Sequence, residues 1–148
     1  MENRQVITGL DTNILCYSLD KTYPENDKVK DLLTKLSPEN RVAINPTVLH
    51  EAYHTLVFYL EWTPHEAATR LTWLLRHPHI EYYNQTRKTS LIALNFCIKY
   101  GLVRDALIIA NFTENKTPTM YTHDKELLKH QKITYKNTNL TIKDPLQK

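Results

Sequence analysis

Val6-Ile7-Thr8-Gly9-Leu10-Asp11-Thr12-Asn13 decides the fold of this chain. Val6-Ile7 leads into Gly9-Leu10, a short apolar strand that ends at an acid. Short apolar runs of this kind are expected of strands buried in a parallel sheet. The pattern returns along the chain. Arg41-Val42-Ala43-Ile44, Ile80-Glu81-Tyr82-Tyr83 and Pro118-Thr119-Met120-Tyr121-Thr122 read as further strands, and Leu140-Thr141-Ile142-Lys143 as a candidate last one.

Helical stretches alternate with these runs. Asp27 to Leu36 places Val29, Leu32, Leu33 and Leu36 at helical spacing, and Ser37-Pro38-Glu39-Asn40 breaks it. Asn45-Pro46 reads as an N-cap with proline at the first helical position, opening a helix to about Leu60. Thr63-Pro64-His65-Glu66 opens another, with Glu66 completing a capping box, and it ends near Arg76-His77-Pro78. A helix from about Thr86 to Lys99 is expected to turn Leu91, Leu94 and Ile98 inward, with Gly101 as its left-handed cap. The helix carrying Asp105 is apolar on nearly all sides through Ala106-Leu107-Ile108-Ile109-Ala110, so it is expected to be central. Lys125 to His130 reads as a short helix. Strands alternating with helices, without hairpin turn signals, predict an α/β fold. Its parallel sheet of four or five short strands has helices on both faces.

The chain has 148 residues, which predicts a single domain over 1–148, with residues after Pro145 frayed. A net charge of +3 is compatible with a nucleic-acid partner without requiring one. Cys16 and Cys97 form no CxxC pair, and Cys97 reads as a small packing residue in a reducing compartment. No apolar segment follows Met1-Glu2-Asn3-Arg4-Gln5, and no run approaches the ~18 apolar residues of a membrane span. A soluble cytoplasmic protein is therefore expected. Only Gly9 and Gly101 occur, which excludes the glycine-rich phosphate loops of nucleotide-binding folds.

Four acids stand in distinctive contexts. Asp11 follows the first strand, and Asp124 follows the fourth in Thr122-His123-Asp124. Glu51 lies in the helix after the second strand, within Asn45-Pro46-Thr47-Val48-Leu49-His50-Glu51. Asp105 heads the apolar helix in Gly101-Leu102-Val103-Arg104-Asp105-Ala106-Leu107. Ligands of open parallel sheets bind outside the carboxyl ends of the strands, and all four acids can converge there. Two carboxylates about 5 Å apart repel by roughly 3 kcal/mol at an effective dielectric near 20. Such a group either binds protons more tightly or takes up a divalent cation. Mg²⁺ and Mn²⁺ prefer oxygen ligands, and a bound cation activates water and offsets charge on a phosphodiester transition state.

These four motifs, in this order, make the chain resemble the PIN-domain nucleases. It is most similar to the small VapC-type toxins of VapBC toxin–antitoxin pairs. The resemblance covers about residues 6 to 145 and includes the Asp144-Pro145 ending. It implies a three-layer PIN-like α/β fold and metal-dependent endoribonuclease activity. Asp11, Glu51, Asp105 and Asp124 would surround one or two Mg²⁺ or Mn²⁺ ions, with Asn13 and Thr122 as polar supports. It further implies an RNA substrate, a homodimer and a cognate antitoxin. Arg104, Arg87 and Lys88 are candidates for holding the RNA backbone, with salt-sensitive affinity.

Each acid also has a plainer reading. Asp11, Asp105 and Asp124 could serve only as helix N-caps, and Glu51 as a solvated helix residue. Asn13 and Thr122 could be turn formers. His50-Glu51-Ala52-Tyr53-His54 is a literal HExxH zinc-protease signature. Its histidines fall opposite the face defined by Val48, Leu49, Ala52, Leu56 and Leu60, and no third ligand follows. A non-catalytic PIN-like RNA-binding or scaffold protein is the other alternative. Trp62, Trp73, Tyr82 and Tyr83 could stack on bases but read better as core or interface aromatics. The helices from Pro46 to Arg76, with Phe58, Tyr59 and Trp62, are a candidate dimer or antitoxin surface.

Overall fold

The computed structural model describes residues 5–147. Its elements run in the order β1 (Val6–Leu10), α1 (Thr12–Leu19), α2 (Asn26–Val29), α3 (Asp31–Thr34), β2 (Asn40–Ile44), α4 (Pro46–Phe58) and α5 (Pro64–Arg76). They continue with β3 (Ile80–Tyr82), α6 (Arg87–Tyr100), α7 (Ala106–Glu114), β4 (Thr119–Tyr121), α8 (Lys125–Leu128), β5 (Lys132–Tyr135) and β6 (Thr138–Lys143).

The strands form one sheet in the order β3-β2-β1-β4-β6-β5. All pairings are parallel except β5 with β6. The chain first builds outward from β1 through β2 to β3, then returns to lay β4 on the other side of β1. The boundary between β1 and β4 is therefore the topological switch point, where open α/β sheets leave a crevice for ligands.

Helix starts follow from local chemistry. The Asn45 side chain accepts a bond from the Val48 N–H at 3.0 Å, with Pro46 in the first helical position. Thr63 accepts from the Glu66 N–H at 3.1 Å, the hydroxyl half of a capping box. Gly101 closes α6 at φ 69°, a left-handed geometry that glycine adopts without a Cβ penalty. Helix α7 is the central helix expected, with Ile108, Ile109, Ala110 and Phe112 fully buried. The Phe112 ring lies so close to β1 that a Cβ on Gly9 would meet it at 2.9 Å.

The structure corrects the sequence reading in three places. The sheet has six strands, because β5 and β6 form an antiparallel hairpin that the sequence did not signal. Its turn carries no glycine, and Lys136 takes the left-handed conformation at φ 52° instead. The single helix expected over Asp27 to Leu36 is two short helices joined at Lys30, which keeps right-handed angles, and helical geometry ends at Lys35. In α6, Leu91, Leu94 and Ile98 point outward, 63%, 62% and 87% exposed. The buried stripe is Thr89, Ile92, Ala93 and Phe96. Two apolar stripes compete on that helix, and the large Phe96 ring goes inward, where it meets Tyr100 and Tyr135 edge to face.

The tail is also tied down further than expected. Asp144 is nearly buried and pairs with His123 Nδ1 at 2.8 Å, while its other oxygen accepts the Leu146 N–H. Both cysteines are free thiols.

Candidate active site

A cleft of about 750 Å³ opens at the carboxyl ends of the strands. Asp11, Glu51, Asp105 and Asp124 all line it, together with Thr12, Asn13 and Arg104. Four acids separated by up to 113 positions in sequence thus share one cavity.

Each acid is positioned differently. Asp11 ends β1 beside the switch point, and its backbone N–H donates to the Tyr121 carbonyl of β4 at 2.9 Å. Its Oδ1 accepts the Thr12 N–H at 2.8 Å, and its Oδ2 accepts the Thr122 hydroxyl at 2.7 Å. Thr122 is fully buried and also accepts the Asp124 N–H at 3.1 Å. One hydroxyl therefore fixes the acids at the ends of β1 and β4 relative to each other. Asp124 caps α8, with Oδ1 accepting from Glu126 and Leu127. Its second carboxylate oxygen takes no part in the cap. Glu51 lies on an exposed face of α4, and its Oε1 accepts the Thr12 hydroxyl at 2.6 Å. Asp105 precedes α7 without a side-chain capping bond, so its carboxylate is not used by the helix end.

The acids feel one another. Burial pushes the Asp105 carboxyl up to about 6, and Asp11, Asp124 and Glu51 add to the rise against the opposing charge of Arg104. Asp11 is also raised, first by burial, with further contributions from Glu51 and Asp124; its bonds to Thr122 and Thr12 oppose the rise. Burial is the first cause in both cases, and the neighbouring like charges add to it.

The donor set suits a hard cation, because every candidate ligand offers oxygen. Asn13 Oδ1 adds a buried oxygen without a hydrogen-bond partner in the cleft wall. Among the described residues, no three His, Cys, Asp or Glu side chains are drawn together tightly enough to hold a metal as they stand. The carboxylates share a cleft rather than a closed coordination sphere.

Other expectations divide. Arg104 lines the cleft, whereas Arg87 and Lys88 sit exposed in the first turn of α6 and do not line it. His50 and His54 are exposed, as expected, yet both belong to the cleft wall. The His54 ring stacks on Phe58 at 4.6 Å. Trp62 is committed to structure, its indole N–H donating to Asp20 at 2.7 Å. Cys16 forms part of the cleft, but burial pushes its thiol up to about 12, so it stays neutral and is no nucleophile.

Sequence reasoning missed three positioning residues. Thr12 holds Glu51. Asn45 donates to Asn111 Oδ1 at 3.1 Å, and Asn111 in turn donates to the carbonyls of Tyr83 and Asn84. Both asparagines are fully buried, and they join the start of α4 to the middle of α7. Glu51 lies further along α4, and Asp105 lies at the start of α7, so the link ties together the two helices that carry them. A lone asparagine inside the apolar run of α7 was the available signal, since buried polar groups need partners.

No protein-family model matches the sequence, and no curated protein matches it. Solved structures do match the fold. The toxin VapC20 of Mycobacterium tuberculosis, which cleaves the sarcin–ricin loop, aligns with a TM-score of 0.67 at 16% identity, over 83% of this chain and 94% of that one. A chain of VapBC2 from Rickettsia felis, bound to a fragment of its promoter DNA, aligns at 0.62 with 21% identity, over 94% of this chain and 100% of that one. A toxin–antitoxin complex from Klebsiella pneumoniae aligns at 0.60 with 18% identity, over 81% and 89%. The chain therefore has the PIN-like α/β fold of VapC structures, as the sequence motifs implied.

Proposed function

We propose that this protein is a divalent-metal-dependent endoribonuclease and the toxin of a toxin–antitoxin pair. One observation carries the reading. Asp11, Glu51, Asp105 and Asp124 meet in one cleft at the switch point of a parallel sheet, in a fold shared with VapC20. Two of them, Asp11 and Asp105, have raised proton affinity, first from burial and then from the other acids of the group.

In this reading the four carboxylates hold one or two Mg²⁺ or Mn²⁺ ions, supported by Asn13 and Thr122. When bound, the cation would supply Lewis-acid charge and make a water more acidic, the chemistry that phosphodiester hydrolysis needs. The protein's own residues do the positioning. Thr122 orients Asp11, Thr12 orients Glu51, and Arg104 faces the same cavity with a charge suited to a substrate phosphate. The four acids and one arginine give the lining a formal charge of −3, counted as four negative and one positive with neutral histidines. Such a cavity repels RNA until cations fill it, which couples metal binding to substrate binding.

The outward stripe of Leu91, Leu94 and Ile98 on α6 supports a homodimer, because an exposed apolar stripe is a surface that a second copy can cover. A cognate antitoxin and a cytoplasmic location belong to the same proposal. No described helix is long and apolar enough to cross a membrane. The zinc-protease reading is not favoured: Glu51 is bonded to Thr12, and His54 is stacked on Phe58.

The test is RNA cleavage in Mn²⁺ by the wild type and an Asp11→Ala variant. Cleavage by the wild type and its loss in the variant are expected. Equal rates for the two proteins would remove Asp11 from the site and the proposal with it.

A further inference from the structure

Helix α4 carries a second feature along the same cleft wall as Glu51. The His54 ring stacks nearly parallel on Phe58, with centroids 4.6 Å apart and planes 23° from each other. Tyr59 meets His54 edge to face at 5.9 Å. Phe58 and Tyr59 are 72% and 74% exposed, although aromatic rings of that size are normally covered. His54 and Tyr59 line the acidic cleft itself. At 1.5 Å of rise per residue, the cluster begins about 4.5 Å along the helix from Glu51 and reaches about 12 Å.

The platform is held rigidly from below. Glu61 takes the left-handed conformation at φ 61° and turns the chain back, so that the Trp62 N–H donates to the Leu56 carbonyl at 2.9 Å. The Trp62 indole is then anchored on Asp20. The exposed rings therefore stand on a fixed helix end.

We infer that His54, Phe58 and Tyr59 form a stacking platform for an unpaired base of the substrate RNA, next to the attacked phosphate. The inference rests on the ribonuclease reading and narrows its substrate to RNA with an unstacked base at the cleavage site. The protein's own residues put four carboxylates against one arginine in the cleft, so the side chains offer the strand few phosphate contacts beyond those that bound cations would add. Stacking on aromatic faces is indifferent to that charge and accepts any base. A base still paired in a duplex has no free face for the platform, which excludes uninterrupted double-stranded RNA.

The test uses the full-length protein in Mn²⁺ and a single-stranded RNA of about ten nucleotides carrying 2-aminopurine at successive positions. Rapid mixing should quench the fluorophore at one or two adjacent positions, before cleavage. Phe58→Ala and Tyr59→Ala should abolish the quench and raise KM about tenfold, with kcat changed less than about twofold. His54→Phe should keep the quench and His54→Ala should lose it, separating a ring from a charge. If a Phe58→Ala, Tyr59→Ala double variant quenches and cleaves as wild type does, the platform is refuted while the nuclease reading stands. If the wild type neither binds nor cleaves RNA, both fail. If the double variant handles RNA normally but escapes inhibition by a protein partner, the surface belongs to that partner and the inference is overturned.

Discussion

Replacing Asp105 by Asn should make the metal-free protein more stable at neutral pH while abolishing its activity. The Asp105 carboxyl is held up at about 6, against an ordinary value of 3.8, by burial and by Asp11, Asp124 and Glu51. A proton is thus bound more tightly in the folded state than in the unfolded chain. The contribution of that proton to stability is complete below about pH 4 and is lost as pH rises through about 6. The interval between the two values corresponds to roughly 3 kcal/mol. Water in the open cleft screens the charge, which reduces the figure to roughly 1–2 kcal/mol. Asparagine cannot ionise and escapes this loss. Relative to wild type, Asp105→Asn should therefore gain roughly 1–2 kcal/mol between pH 4 and pH 7.5, about 3–6 °C in melting temperature. Mn²⁺ should reverse the order at pH 7.5, because a cation bound only by the folded state stabilises it and the variant lacks one ligand. RNA cleavage should fall by about 10²-fold or more. The assay is thermal or urea unfolding at both pH values with and without Mn²⁺, beside a cleavage assay. A stability difference that does not change with pH would refute the raised carboxyl of Asp105. Equal stabilisation of both proteins by Mn²⁺ would remove Asp105 from the metal site.

Thr122→Val keeps the shape of the side chain but removes the hydroxyl that bonds Asp11 and the Asp124 N–H. It should cost about 1–3 kcal/mol in urea unfolding and weaken Mn²⁺ binding about 10- to 100-fold by calorimetry. Gly9→Ala would drive a methyl to 2.9 Å from the Phe112 ring. A loss of about 1–3 kcal/mol is expected, and an unchanged urea midpoint would show that α7 can shift away from β1. A Leu94→Lys, Ile98→Lys double variant puts two charges on the outward stripe of α6 without touching the core. Sedimentation should show a monomer where the wild type sediments as a dimer, and a wild-type monomer would refute the α6 interface.

The α/β class was readable because buried parallel strands carry a strong apolar signal, and α7 was recognisable as central for the same reason. The helix starts at Asn45-Pro46 and Thr63-Pro64 were readable because caps are local chemistry. The β5–β6 hairpin was not, since Lys136 accepts a left-handed conformation that sequence associates with Gly or Asn. The inward face of α6 was misassigned because periodicity reports that an apolar stripe exists but not which of two stripes meets the core. The four acids could be placed at one sheet edge because two follow strands, one lies on the helix after the second strand and one heads the helix leading into the fourth. Their supports could not. Thr12 and Glu51 are 39 positions apart, and Asn45 and Asn111 are 66 apart, with no local pattern joining them.

Those supports explain how a site assembled from distant segments stays in register. Asp11 and Asp124 follow adjacent parallel strands, so the sheet already fixes their backbones, and Thr122 adds a bond between them. Glu51 and Asp105 have no such common strand. They belong to α4 and to the start of α7, and side-chain contacts between these elements add to what the sheet fixes. The buried Asn45–Asn111 pair is the polar part of that contact, and it also reaches the segment after β3 through Tyr83 and Asn84. A slip of α7 against α4 would leave several buried polar groups unsatisfied, at roughly 1–3 kcal/mol each. That penalty holds two mutually repelling carboxylates in place without a cation. The fold thus keeps its four acids assembled against their own repulsion, and the same repulsion is what makes the cleft selective for positive charge.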